Sequence, residues 1–174
     1  MRYVNRANII TACVVSLLAL SMLKRPLQRL ARARRAAIGV RLVTRTDRAT
    51  DVNGLAHSLI ATDSATLLIM LDAADANSRL GTRVFPTFAH WAQLQGVASR
   101  MLVPNDSLVF AQFARLASGG ATILRSTPVW YDHLGITEVP TFLLLDRSGA
   151  VRGRWSGQTP KHLEILNLLA KMRG

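Results

Sequence analysis

The side chains able to do chemistry are few and scattered. One cysteine, Cys13, occurs among 174 residues, so neither an intramolecular disulfide nor a cysteine-built metal cluster can form. His57, His90, His133 and His162 show no His-x-His or His-x-x-x-His spacing that would put two imidazoles on one metal ion. Asp132-His133 joins a carboxylate to an imidazole, which is acid–base chemistry only if the fold carries the pair to a pocket. There is no nucleophile elbow, and Ser118-Gly119-Gly120 is too short for a phosphate loop and reads as a helix terminus. Trp91, Trp130 and Trp155 lack interleaved basic residues and read as packing groups. These residues imply no metal and no cofactor.

The charge is just as unevenly placed. Residues 1–48 hold eleven of the 22 Arg and Lys residues against a single acid, Asp47, while the other eleven are set against nine acids in residues 49–174. A nearly neutral C-terminal part does not make a nucleic-acid surface, so nucleic acid is not an expected partner.

The excess sits around an apolar run. Residues 7–23 are 17 positions without a charge, bounded by Arg6 and Lys24, the lower limit for a helix that spans a bilayer. Asn8, Thr11, Ser16 and Ser21 do not forbid insertion, since small hydroxyls return to the helix backbone. A cleaved signal peptide is the competing reading, but Leu20-Ser21-Met22-Leu23 is a poor cleavage site. The expectation is a retained single-pass anchor over residues 1–23 in an inner, bacterial-type membrane. A basic segment follows over 24–48, in which Lys24, Arg25, Arg29, Arg32, Arg34 and Arg35 alternate with Leu27, Leu30 and Ala31. It reads either as a short helix on anionic headgroups of the bilayer or as a solvated topology signal. Those six charges favour a cytoplasmic domain by the positive-inside rule.

Residues 49–174 read as one α/β domain. Thr66–Leu71 is an apolar run suited to a strand covered on both faces. A helix is predicted over 76–95 on the stripe Leu80, Val84, Phe88, Trp91 and Leu94, kinked at Pro86 and stopped by Gly96. Then come a strand over 98–103, a helix over 107–117, a small strand over 122–124 and a helical turn over 127–134. Val139–Asp146, the turn Arg147-Ser148-Gly149 and Ala150–Ser156 form a hairpin. Thr159-Pro160 reads as N-cap and first residue of a closing helix that buries Leu163, Leu166, Leu169 and Ala170.

The stretch Gly135-Ile136-Thr137-Glu138-Val139-Pro140-Thr141-Phe142-Leu143-Leu144-Leu145-Asp146-Arg147-Ser148-Gly149-Ala150-Val151 resembles the corresponding segment of membrane-anchored thioredoxin-like proteins, the thiol-disulfide oxidoreductase relatives. The resemblance extends over about residues 60–172 and is strong over 135–157. It implies a thioredoxin-like three-layer sandwich, here preceded by one transmembrane helix, and a periplasmic domain, against the indication of the flanking charges. It also makes Pro140 a candidate for a cis peptide bond, with an ordinary trans proline at a strand start as the alternative.

Family chemistry needs a Cys-x-x-Cys at the start of the long helix, where a thiolate attacks and a second thiol resolves the intermediate. The corresponding stretch here is Asp72-Ala73-Ala74-Asp75-Ala76-Asn77-Ser78-Arg79, with Asp75 and Ser78 at the two cysteine positions. Neither side chain can form a disulfide, and both read as helix caps. The expected function is a non-catalytic accessory subunit, not an enzyme, that packs on a larger integral membrane protein complex, respiratory or photosynthetic. The alternatives are an assembly factor that holds extended peptides in the groove beside Pro140, and an enzyme using Asp75, Ser78 and Asp132-His133.

Overall fold

The computed structural model describes residues 38–72, 75, 78, 84–104, 110, 111, 113 and 120–173. In chain order the elements are β1 (Arg48–Thr50), β2 (Ala56–Ser58), β3 (Thr66–Met70), α1 (Val84–Leu94), β4 (Ala98–Pro104), β5 (Ala121–Ser126), α2 (Pro128–His133), β6 (Thr141–Leu145), β7 (Val151–Ser156) and α3 (His162–Arg173). Every residue of β3 and β6 is buried. Because successive side chains alternate across a strand, such strands belong in the middle of a sheet covered on both sides. They are its central pair: the sheet order is β5-β4-β3-β6-β7, with β3, β4 and β5 parallel and β6 and β7 antiparallel to their neighbours. This mixed sheet between two covering layers is the thioredoxin-like α/β fold.

One face carries Leu67, Ile69, Met101, Ile123, Phe142 and Leu144 against α1, α3 and the helical residues Phe110 and Phe113. Phe142 meets the edges of Phe85 and Phe88, with centroids 5.6 and 5.7 Å away. The other face carries Leu68, Met70, Leu102, Leu124, Leu143 and Leu145 under α2 and residues 42–60. That covering begins before residue 49. Gly39 donates to the Val151 carbonyl (2.7 Å), Arg41 bridges Ala150, and Leu42 and Val43 are buried, so the end of the segment read as basic and juxtamembrane is part of the domain. Gly149 makes the approach possible: its φ is +83°, and a Cβ there would meet the Val43 carbonyl oxygen at 1.7 Å.

Two helical stripes differ from expectation. In α1 the buried set is Phe85, Phe88, Ala89 and Ala92, while Val84 and Leu94 are exposed and Trp91 is half-buried. Residues 85, 88, 89 and 92 keep the i, i+3, i+4, i+7 pattern, one position out of phase with the expected stripe. Gly96 ends α1 with φ +75°, its N–H donating to the Gln93 carbonyl and that of Val97 to Ala92, the paired bonds of a left-handed C-terminal cap. The kink expected at Pro86 borders residues 79–83, which lie outside the described residues.

In α3 the buried set is Ile165 and Leu169 with Leu168 and Met172 packed beside them, and Leu163, Leu166 and Ala170 are exposed. Nor does Thr159-Pro160 open this helix. The Lys161 carbonyl accepts from the Glu164 N–H (3.0 Å), and the Glu164 carboxylate reaches back to the Lys161 N–H (3.4 Å), a reciprocal cap two residues later.

The short hairpin β1–β2 turns through Asp51, whose Oδ1 accepts from the N–H groups of Asn53 and Leu55 (2.8 and 3.0 Å). Among the described residues no helix is long and apolar enough to cross a membrane. The span expected over residues 1–23 and the basic residues Lys24 to Arg35 lie outside the described residues.

Candidate functional site

Register places the site. Met70, the last residue of β3, pairs with Thr141, the first of β6, so the chain leaving β3 through Leu71 and Asp72 passes beside the chain entering β6 through Pro140. The Val139–Pro140 peptide bond is cis. Pro140 is buried; its carbonyl accepts from the Gly157 N–H at 2.8 Å. The buried Thr141 hydroxyl donates to the Glu138 carbonyl (2.5 Å), with the Ser156 hydroxyl 3.3 Å away. Backbone and hydroxyl bonds therefore hold the loop at both ends. Between them, Val139 makes no hydrogen bond to any described residue and is half-buried.

The other lip of the site is a polar cap. Asp75 Oδ2 accepts from the Ser78 N–H at 2.6 Å, a bond from a carboxylate to an N–H three residues on, as capping carboxylates make, and Ser78 is helical. The Ser78 hydroxyl oxygen accepts from the Asp72 N–H at 3.2 Å, and the Asp75 N–H donates to the Asp72 carbonyl at 3.2 Å. Ser78 is fully buried. Asp75 and Ser78 thus bind each other and the backbone that precedes them, an arrangement that terminates a helix and leaves no sulfur to attack a disulfide.

Tyr131, on α2, closes this side, its hydroxyl donating to the Leu71 carbonyl. Burial, together with the nearby Asp72 carboxylate, pushes the phenol up to about 12, although a bond with Ser126 works against the shift. Tyr131 is therefore a neutral donor at physiological pH. Sequence reasoning missed it; the available signal was an aromatic with a polar tip on a short helix near the loop, because such a ring when buried needs a partner for its hydroxyl.

Arg154 flanks the Pro140 loop from β7, with Nε donating to Ser156 Oγ and Nη2 to the Gly135 carbonyl, both at 3.2 Å. Burial lowers its guanidinium below the usual value, and Glu138 acts in the opposite direction.

The remaining candidates lie apart. His133 is 4.0 Å from Asp47 and meets Trp130 edge-on at 5.7 Å, so its carboxylate neighbour is in the segment before β1. His57 bonds Asp51 at 2.8 Å within the β1–β2 hairpin. His162 lies on Trp91 and Phe88, with centroids 4.2 and 5.1 Å away, His90 is exposed on α1, and the Trp155 indole N–H donates to Glu164 at 2.8 Å. Among the described residues no group of three or more His, Cys, Asp or Glu could hold a metal ion.

The thioredoxin-like fold is shared with solved structures whose identity to this chain is low. StoA from Bacillus subtilis superposes with a TM-score of 0.59 at 15% identity, over 75% of this chain and 98% of that one. The thioredoxin domain of a thiol-disulfide oxidoreductase from Bacteroides vulgatus gives 0.60 at 14% identity, over 79% and 99%. A thiol:disulfide interchange protein, DsbE, from Chlorobium tepidum gives 0.58 at 18% identity, over 79% and 100%. At these identities the likeness establishes the fold alone. No protein-family model matches the chain, and no curated protein matches it.

Proposed function

We propose that this chain is a redox-inactive thioredoxin-like protein, tethered to a membrane by residues 1–23, that serves as a non-catalytic accessory subunit of a larger membrane complex. The observation that carries the reading is the Asp75–Ser78 cap. The positions from which a thiol pair would act hold a carboxylate and a fully buried hydroxyl whose bonds are already made within the chain. Thiol–disulfide exchange runs through a thiolate and a mixed disulfide, and the sequence has only Cys13, well before the fold begins. What the fold retains is shape. A bioenergetic complex, respiratory or photosynthetic, is the proposed host, by analogy with the small extra subunits such complexes carry. After detergent extraction, the chain should co-purify with its complex at a fixed stoichiometry. Recovery at substoichiometric levels, lost as the complex matures, overturns the subunit reading.

That second outcome would favour an assembly factor, and one observation supports it: the Val139 backbone beside Pro140 has no hydrogen-bond partner among the described residues. A free N–H and carbonyl next to a buried proline can pair with an extended peptide in the manner of an added strand.

A further inference from the structure

The end of the sheet remote from Pro140 carries a feature that the proposed function does not use. Leu145 pairs with Thr66, so the β6–β7 turn and the loop before β3 meet there, together with Gly96 and the second half of α3. They enclose an open cleft of about 970 Å³. One side of it is apolar, formed by Leu168, Leu169 and Met172 of α3 and by Ile38, which is 70% exposed. Arg147, Arg152 and Lys171 stand around it, all exposed.

The acids at this end are Asp146 and Asp63. Asp146 is already satisfied, accepting from the Ser148 N–H and hydroxyl, the Ala150 N–H and Arg152 at 2.6–3.1 Å. Arg147 and Lys171 make no ion pair among the described residues and outnumber Asp63, and the exposed Arg41 bridges Ala150 at the same end. Among the described residues the Pro140 end has the opposite balance: Asp72, Asp75, Asp132 and Glu138 against Lys161, the half-buried Arg154, and Arg125, which lies over the Phe110 ring. The described residues are thus polarised along the strands. The chain also enters the fold at this positive end. Arg35 lies three residues before Ile38, so the cations of residues 24–35 begin within at most about 11 Å of chain from the cleft.

We infer that this end is a docking face for anionic lipid headgroups, with phosphates against Arg147, Lys171 and Arg41 and the glyceryl edge against Ile38, Leu168 and Met172. The inference rests on the membrane reading of the N-terminus. Charge complementarity selects the occupant: an anionic surface attracts this end and repels the other. Docking holds the Pro140 loop off the bilayer by about the length of a five-residue strand, roughly 17 Å, and leaves it open to a partner.

The test uses the full chain with Cys13→Ser and a fluorophore on Thr62→Cys, at the cleft end, or Gln158→Cys, at the Pro140 end. The chains are reconstituted in phosphatidylcholine vesicles with or without phosphatidylglycerol, with a headgroup-bound nitroxide as quencher. Quenching at Thr62 should exceed that at Gln158 several-fold on anionic vesicles. It should fall in zwitterionic vesicles, in high salt, and in Arg147→Glu with Lys171→Glu, whose thermal unfolding and flotation with vesicles should match the parent. Flotation with Thr62 quenching indifferent to lipid charge and to the two reversals overturns the docking face and spares the anchor. Quenching at Thr62 that appears only when the host complex is co-reconstituted makes the face a protein interface and likewise overturns it. A full chain that does not float overturns the anchor and this inference together.

Discussion

The two lips of the site are held in different ways. On the β6 side the cis Val139–Pro140 bond, the Thr141 hydroxyl on the Glu138 carbonyl and the Gly157 N–H on the Pro140 carbonyl define a loop by backbone geometry. On the β3 side Asp75 and Ser78 define a cap by side-chain bonds that serve the local backbone. The two lips rest on different things. The loop depends on main-chain bonds and a buried strand, and the cap on two side chains.

Perturbing each lip sharpens that contrast. The largest effect should come from the strand that carries the proline loop. Phe142→Ala removes the ring between Phe85 and Phe88 and should cost about 3–5 kcal/mol in urea unfolding. A loss below about 1 kcal/mol would mean that β6 is not the centre of the core. In α3, Ile165→Ala should cost about 2–5 kcal/mol and Leu163→Ala less than about 0.5 kcal/mol; the reverse order would restore the stripe expected from sequence.

On the β3 lip the costs are smaller. Ser78→Ala takes the hydroxyl acceptor from the half-buried Asp72 N–H and should cost about 1–3 kcal/mol. Asp75→Ala should cost about 0.5–2 kcal/mol and Asp75→Asn almost nothing, since an amide oxygen caps as well as a carboxylate. An Asn variant as damaging as Ala would point to a need for the charge itself.

The smallest effects are in the pH limbs. Tyr131 has a folded-state value raised to about 12, so the stability it confers is complete below the ordinary tyrosine value of about 10 and is lost as pH rises toward 12. Tyr131→Phe should flatten that alkaline limb in unfolding curves. Asp146 runs the other way. Burial alone would raise its carboxyl, but bonds from Ser148, Ala150 and Arg152 hold it below the usual carboxylate range. Its contribution is present above about pH 3.9 and fades as pH falls through the depressed value, so Asp146→Asn should flatten the acid limb.

Much of the fold was legible because local pattern and burial agreed. The apolar runs at 66–71 and 139–146, the Arg147-Ser148-Gly149 turn and the Gly96 stop are each set by residues within a few positions of one another. The helical stripes were not, because both helices carry apolar residues off the buried face: Leu163 and Leu166 make as regular a stripe as Ile165, Leu168 and Leu169, and only packing on the sheet chooses between them. The β1–β2 hairpin was missed although Asn53-Gly54 is a turn signal, because its strands are three residues long. The pairing of Arg41 with Ala150 joins positions more than a hundred residues apart and leaves no local trace. Of the site, the cis proline was readable from residue types, whereas the link from Tyr131 to Leu71 depends on where α2 packs.

The central claim is that this scaffold carries no thiol chemistry, and insulin-disulfide reduction by the full chain with dithiothreitol tests it most directly. The account predicts a rate equal to that of the reductant alone, unchanged by Cys13→Ser. Catalysed turnover by the unmodified chain that survives Cys13→Ser would contradict it.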